Sequence, residues 1–348
     1  MRSEAAARGL PVDFIACHRS LRSAPNLIVV KPVLEFTLPF YKQQPIRIPN
    51  IMQIHRIFQE NEYDRIICST EGAMGLVAII LKKAFRVPAW FFLHTDWLTY
   101  IKMNLKFDIH MINRIRRWLR IFYIQFDGHL VLNGDQKKWL SGKEMGLDRN
   151  NIFQTAHWVD KYFKPGKDNR KKLFGAGPND KILLYAGRVS REKGIMDLPF
   201  VYNRLKQVFP DIRLVILGSG PDEEELKKAA PDLIFAGWVD YHRLPEYYSS
   251  ADLLLLPSVF DTFGRVVLEA MSCGLPVAAY DKMGPRDIIE HEKSGYLVKS
   301  KSSMARAAES CFRDKKIHSA MKKQCVKRAA SYSADNIIRN LMRDIGIK

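Results

Sequence analysis

Several things are scarce in this sequence, and each shortage excludes a class of protein. Cysteine occurs five times, at 17, 68, 273, 311 and 325, with no Cys-x-x-Cys pair. An odd, scattered set of this kind argues against a disulfide framework and a cysteine zinc site, and reads as the reduced thiols of a cytosolic protein. No uncharged run approaches the ~20 apolar residues that a membrane-spanning helix needs. The N-terminus has no leader pattern of a basic stretch followed by an apolar one. Low-complexity tracts and repeats of solenoid period are absent. Acidic residues are outnumbered, 37 to 55, which leaves a formal charge of +18 over 348 residues.

What remains is an ordinary globular composition, 47% hydrophobic and 26% charged, in a chain long enough for two domains with their own cores. The basic excess is shared by both halves and does not form a tail. It would attract phosphorylated substrates, anionic lipid or nucleic acid. No nucleic-acid recognition motif accompanies it, so nucleic acid is not an expected partner.

From about residue 180, apolar runs alternate with helical patterns. Strands are expected over 181–186, 213–217, 233–236, 253–256 and 277–280, and helices over 196–209, 223–230, 243–249 and 266–273. This alternation implies a parallel sheet covered on both faces, with ligands gathering at the carboxyl ends of its strands. The first half alternates less clearly. Strands are expected over 12–17, 27–30, 65–68 and 89–93, and a last one over 129–132, with helices over 51–60 and 75–85. The segment from Pro165 to Arg170 has linker composition. The expected division is an N-terminal domain over 1–165, a C-terminal domain over 166–330, and a helix over 331–348 packing back toward the first domain. A Rossmann half opens with a strand, a Gly-rich turn and a helix; residues 3–9 read as the end of that helix, so the strand and turn are expected to be missing.

Two stretches carry chemistry. In the first, Gly187-Arg188 is followed by Lys193-Gly194 between a strand and a helix. Arg188 can fork onto phosphate oxygens and Lys193 adds a point charge, as a departing pyrophosphate requires. In the second, Asp261 and Glu269 stand eight positions apart across the turn Phe263-Gly264, with Arg265 and Val266 opening a helix. A helix start offers free N–H groups to an anion, and the two carboxylates can hold hydroxyls on either side of it. Asp261 could instead serve as the N-cap of that helix.

Together these stretches resemble the donor motif of the retaining glycosyltransferases of family 4, which have the GT-B fold. The resemblance implies an α/β chain with two Rossmann-like domains and a cleft between them. It also implies a metal-independent enzyme without a cofactor, using a GDP- or UDP-linked sugar. Under it, Arg188 and Lys193 hold the diphosphate and Glu269 the ribose hydroxyls. Asp261 contacts the transferred sugar, and family members usually have Glu there. The backbone of Phe263, Gly264, Arg265 and Val266 approaches the phosphates, and Val239 borders the base. In the first half, His94-Thr95-Asp96 resembles the family segment whose His orients the donor sugar; Asp96 could also cap the next helix. A glycosidase-like use of the carboxylate pair is rejected, because a nucleotide diphosphate already leaves readily and retention needs no protein nucleophile.

Residues 101–126 alternate Lys102, Lys106, Arg114, Arg116, Arg117 and Arg120 with Trp118, Phe122, Tyr123 and aliphatics. Such a helix can lie on an anionic membrane surface, or pack into a core with a solvated basic face. The expected partners are therefore a nucleotide-sugar donor, a lipid or glycan acceptor and the inner face of the cell membrane. A catalytically inactive nucleotide-sugar-binding protein of the same fold, or an N-terminally truncated fragment of the enzyme, is the alternative. A sugar-nucleotide epimerase fits less well, because its constellation of catalytic carboxylates and His is not evident.

Overall fold

Strands such as Leu253–Leu256 and Val277–Tyr280 are unbroken apolar runs, and the structure buries every residue of both. That is the signature of a parallel sheet covered on two faces. A computed structural model describes residues 2–38, 41–104 and 107–347. The chain divides into two compact units, Met1–Val131 with Gln136–Gln154 and Asp344–Lys348, and Leu132–Asp135 with Thr155–Arg343.

The elements of the first half, in chain order, are α1 (Arg2–Ala7), β1 (Phe14–Cys17), β2 (Leu27–Val30), β3 (Pro32–Leu38), β4 (Tyr41–Pro49), α2 (Ile51–Glu60), β5 (Ile66–Cys68), α3 (Ala73–Phe85), β6 (Ala89–Leu93), α4 (Trp97–Asn104), α5 (Ile109–Tyr123), β7 (Gly128–Val131), α6 (Gly134–Ser141) and β8 (Ile152–Gln154). Strands β5, β6, β7 and β8 form a parallel four-stranded sheet in that order, β1 and β2 pair in parallel, and β3 and β4 form an antiparallel hairpin. The aromatic core under the four-stranded sheet centres on Phe91, whose ring meets Phe122 edge-on at 5.5 Å and packs on Tyr123 and Phe126.

Two expectations are corrected here, and one element is new. The strand at β7 is not the last of this half, since β8 follows it. The hairpin β3–β4 was not expected. The single basic helix over 101–126 is two helices, α4 and α5, with Asp108 capping the second through the Met111 N–H at 2.6 Å. Lys106 lies outside the described residues.

The second half continues with α7 (Arg170–Phe174), β9 (Ile182–Ala186), α8 (Leu198–Lys206), β10 (Arg213–Leu217), α9 (Glu223–Ala229), β11 (Ile234–Gly237), α10 (Leu244–Ser249), β12 (Leu253–Leu256), α11 (Arg265–Ser272), β13 (Val277–Tyr280), α12 (Met283–Ile288), β14 (Gly295–Val298), α13 (Lys301–Arg313), α14 (Lys315–Ala330) and α15 (Ala334–Asp344). The sheet order is β11-β10-β9-β12-β13-β14, all parallel. The order reverses between β9 and β12, so the loops leaving these two central strands open side by side. Helix α8 starts two residues later than expected, after a 3-10 turn over Ile195–Asp197.

Those loops press backbone on backbone. Gly194, at φ +72°, is so close to the next loop that a Cβ would lie 1.9 Å from the Pro257 carbonyl oxygen. Gly194→Ala is therefore expected to destabilise the chain by about 2–4 kcal/mol through overlap and left-handed backbone strain. A urea-denaturation midpoint unchanged from wild type would contradict this. Among the described residues, no helix is long and apolar enough to cross a membrane.

Candidate active site in the C-terminal unit

The site is built from the carboxyl ends of β9 and β12. Leaving β9, the chain makes a 3-10 turn over Arg191–Lys193, and the Tyr185 hydroxyl donates to the Arg188 carbonyl at 2.7 Å, fixing the loop from below. Lys193 Nζ then reaches across to the β12 loop. It donates to the Phe260 carbonyl at 3.3 Å and to Asp261 Oδ2 at 3.2 Å. Arg188, on the same loop, extends toward solvent, its nearest carboxylate being Glu192 at 3.9 Å. The structure thus joins Lys193 to Asp261, and leaves Arg188 the more open cation.

After Asp261 the chain turns through Gly264, which occupies the N-cap position of α11 at φ +83° and provides no side-chain cap. Asp261 is therefore not the cap. Without a capping side chain, the N–H groups of Arg265 and Val266 point out of the first turn with no intrahelical acceptor. Phe263 is buried, its ring edge-on to His157 at 5.1 Å, so the turn is anchored by a side chain and presents backbone. Gly284 completes the wall. Its N–H donates to the Asp261 carbonyl at 3.1 Å, and a Cβ there would lie 2.2 Å from the Phe263 carbonyl oxygen. The Asn133 amide donates to the Thr262 carbonyl at 2.6 Å, bracing the same turn.

Glu269 lies one turn into α11 and is 5% exposed. Tyr248, itself buried, donates to its Oε2 at 3.4 Å, and Arg265 Nη2 stands 3.7 Å from its Oε1. Burial pushes the Glu269 carboxyl up to about 7, against the opposing pull of Arg265 and of hydrogen bonds from Tyr248 and Tyr241. Arg265 also donates to the Tyr241 hydroxyl at 2.9 Å. That hydroxyl donates to Asp160 Oδ2 at 3.0 Å, and Tyr162 donates to the same oxygen at 3.3 Å. Glu269 is thus a desolvated carboxylate facing a polar aromatic cluster. A ligand donating two hydroxyls to it would favour its ionised form.

Sequence reasoning missed Tyr241, Tyr248, Asp160 and Asn133. These come from separate loops and helices, and no spacing signal links them. Val239 is on the loop after β11, beyond β10 from the Lys193–Asp261 pair, and is half-buried. His94 is in the other unit, at the carboxyl end of β6, with its ring 4.1 Å from that of Phe92 and its pKa lowered by burial. Asp96 caps α4, accepting from the Thr99 N–H at 3.0 Å and from its hydroxyl at 2.6 Å.

Chemically, the C-terminal unit offers two cations on the loop after β9, and an open helix start with a diol-sized carboxylate acceptor in the loop and helix after β12. Its family matches agree with that chemistry. Residues 167–329 match the model described as "Glycosyl transferases group 1", and residues 1–160 match "Glycosyltransferase Family 4". A GDP-mannose-dependent alpha-mannosyltransferase of Corynebacterium glutamicum is 27% identical over 285 residues, 78% of this chain and 64% of that protein. An alpha-monoglucosyldiacylglycerol synthase of Streptococcus pneumoniae is 24% identical over 284 residues, again 78% of this chain and 64% of that protein. The chain thus spans less than two thirds of the length of these relatives. Among solved structures, sucrose-phosphate synthase of Thermosynechococcus elongatus superposes with a TM-score of 0.77 at 21% identity, over 98% of this chain and 90% of that one. That likeness establishes the GT-B fold.

Proposed function

Because the chain belongs to the group 1, family 4 glycosyltransferases, we propose that it is a retaining enzyme moving a sugar from a nucleotide diphosphate sugar to a lipid or glycan acceptor. One observation carries the reading: Lys193 is joined to Asp261 beside the uncapped start of α11, with the desolvated Glu269 eight positions farther on. The diphosphate sits against the Arg265 and Val266 N–H groups, with Arg188 and Lys193 as counter-charges. Glu269 accepts from the ribose hydroxyls, and Asp261 from a hydroxyl of the sugar, sharing Lys193 with the phosphate.

In such a site the rate gain comes from charge. As the glycosidic C–O bond breaks, negative charge grows on the diphosphate, and two fixed cations stabilise that state more than the ground state. The acceptor hydroxyl attacks from the face the phosphate leaves, giving its proton to a phosphate oxygen, so configuration is retained without a protein nucleophile. His94, held neutral by burial, orients the sugar by a hydrogen bond and takes no proton. The relatives' names, one citing GDP-mannose and one a glucosyl diacylglycerol, support a nucleotide-sugar donor and a lipid acceptor. The test is hydrolysis of GDP- and UDP-sugars by the wild-type chain and by Glu269→Ala. Equal turnover by the two would overturn the assignment.

For a lipid acceptor the enzyme would work at the inner face of the cell membrane, through α5. That helix exposes Trp118, Ile121 and Ile124 on one stripe with Arg114 and Arg117, while Leu119, Phe122 and Tyr123 turn inward. Arg116 is half-buried near Glu144 and belongs to the flank. Changing Arg114 and Arg117 to Glu is expected to weaken binding to anionic liposomes by at least ~30-fold, at about 1 kcal/mol per basic residue near the surface. Sedimentation with phosphatidylglycerol vesicles measures it, and undiminished binding would remove α5 from the membrane contact.

A further inference from the structure

Arg265 stands beside a buried carboxylate and does not close on it. Its Nη2 is 3.7 Å from Glu269 Oε1, and its side chain is 54% exposed and free to swing. The two residues are four apart on α11 and so share one face of the helix. Reach is therefore not what keeps them apart. A guanidinium next to a desolvated carboxylate ordinarily closes to about 2.8 Å and forks onto both oxygens. Here the same Nη2 donates instead to the Tyr241 hydroxyl at 2.9 Å.

That hydroxyl can accept because its single proton is engaged elsewhere. Two carboxylates lie near it, Asp160 and Glu269. It donates to Asp160 Oδ2 at 3.0 Å, and Tyr162 donates to the same oxygen at 3.3 Å. Edge-on contact with the Tyr162 ring at 5.7 Å and packing on Phe163 at 5.2 Å fix the Tyr241 ring. Asp160 thus draws the phenol proton away from Glu269, and the phenol oxygen in turn draws Arg265.

We propose that Asp160 and Tyr241 are positioning residues that tether Arg265 away from Glu269 and so leave its carboxylate oxygens to the ribose diol. The inference rests on the reading of Glu269 as the ribose acceptor and adds what keeps that acceptor open. Without the tether, Arg265 closes on Glu269, and an incoming diol has to displace a charged fork with neutral hydroxyls. Without Asp160, the Tyr241 proton turns to Glu269 and occupies a lone pair that the diol needs.

The test is titration calorimetry with GDP and UDP and with their 2′-deoxy counterparts. Tyr241→Phe keeps the ring contacts and removes only the hydroxyl. It and Asp160→Ala are each expected to weaken diphosphate binding ~10-fold and to blunt the preference for the ribonucleotide. Asp160→Asn, whose amide oxygen still accepts from Tyr241, should restore affinity to within about threefold of wild type. In an Arg265→Ala background there is no cation to close on Glu269, so Tyr241→Phe should then cost less than ~2-fold. A Tyr241→Phe cost that is the same in both backgrounds, or wild-type affinity in Tyr241→Phe and Asp160→Ala, would overturn the inference while leaving Glu269 in place. Equal binding of ribo- and deoxynucleotides by the wild-type chain would instead remove Glu269 as the ribose acceptor, and the inference with it.

Discussion

Lys193→Ala and Arg188→Ala are each expected to lower the kcat for sugar transfer by ~10²–10³, the usual cost of removing one preorganised partner of a charge that develops in the transition state. The effect should fall on kcat more than on donor KM, because the diphosphate gains charge as it leaves. Lys193 carries a second consequence, since it is bonded to Asp261 and the Phe260 carbonyl and its loss leaves that carboxylate without its cation. Arg188 is nearly half exposed and pairs only distantly with Glu192, so its loss should leave thermal stability almost untouched. Steady-state nucleotide release under saturating acceptor measures both variants. A drop below threefold in either would remove that residue from leaving-group stabilisation.

Glu269 should give the second large effect and a distinctive pH profile. Its carboxyl is raised by burial from the ordinary 4.5 to about 7. The sign follows from linkage. In the unliganded chain the unfolded state ionises first, so this group's contribution to stability is full below the unfolded value and is lost as pH rises toward 7. A ribose diol donating to the carboxylate prefers the ionised form, so donor affinity should rise as pH increases from 6 to 8 and then level. Glu269→Gln should abolish that dependence and weaken nucleotide binding by ~10–100-fold, the cost of losing a charged hydrogen-bond acceptor. Titration calorimetry with GDP and UDP at several pH values checks both statements. A flat wild-type profile over this range would contradict the role given to Glu269.

Much of the C-terminal unit is legible in the sequence, for a physical reason. Its strands are buried on both faces and read as unbroken apolar runs, so Arg213–Leu217, Leu253–Leu256 and Val277–Tyr280 fall where the pattern puts them. The charged turns between them hold the candidate site residues, so Lys193 and Asp261 are each singled out by their motifs, whereas their ion pair is visible only in the structure. The Tyr241, Tyr248 and Asp160 surroundings of Glu269 could not be read, because only the tertiary fold gathers them. The N-terminal unit is less legible. Pro32, Pro45 and Pro49 punctuate β3 and β4 and mask the hairpin, and the step between α4 and α5 is hidden in a continuous basic-apolar pattern. Asp261 was readable as a helix cap on composition, yet Gly264 takes that position. The carboxylate is thereby left to pair with Lys193.

The most direct test of the central claim is a crystal structure of the chain with GDP or UDP bound. The diphosphate is expected against the Arg265 and Val266 N–H groups, within reach of Arg188 and Lys193, with both ribose hydroxyls hydrogen-bonded to the Glu269 carboxylate. A nucleotide bound elsewhere, or bound here with its ribose turned away from Glu269, would contradict the account.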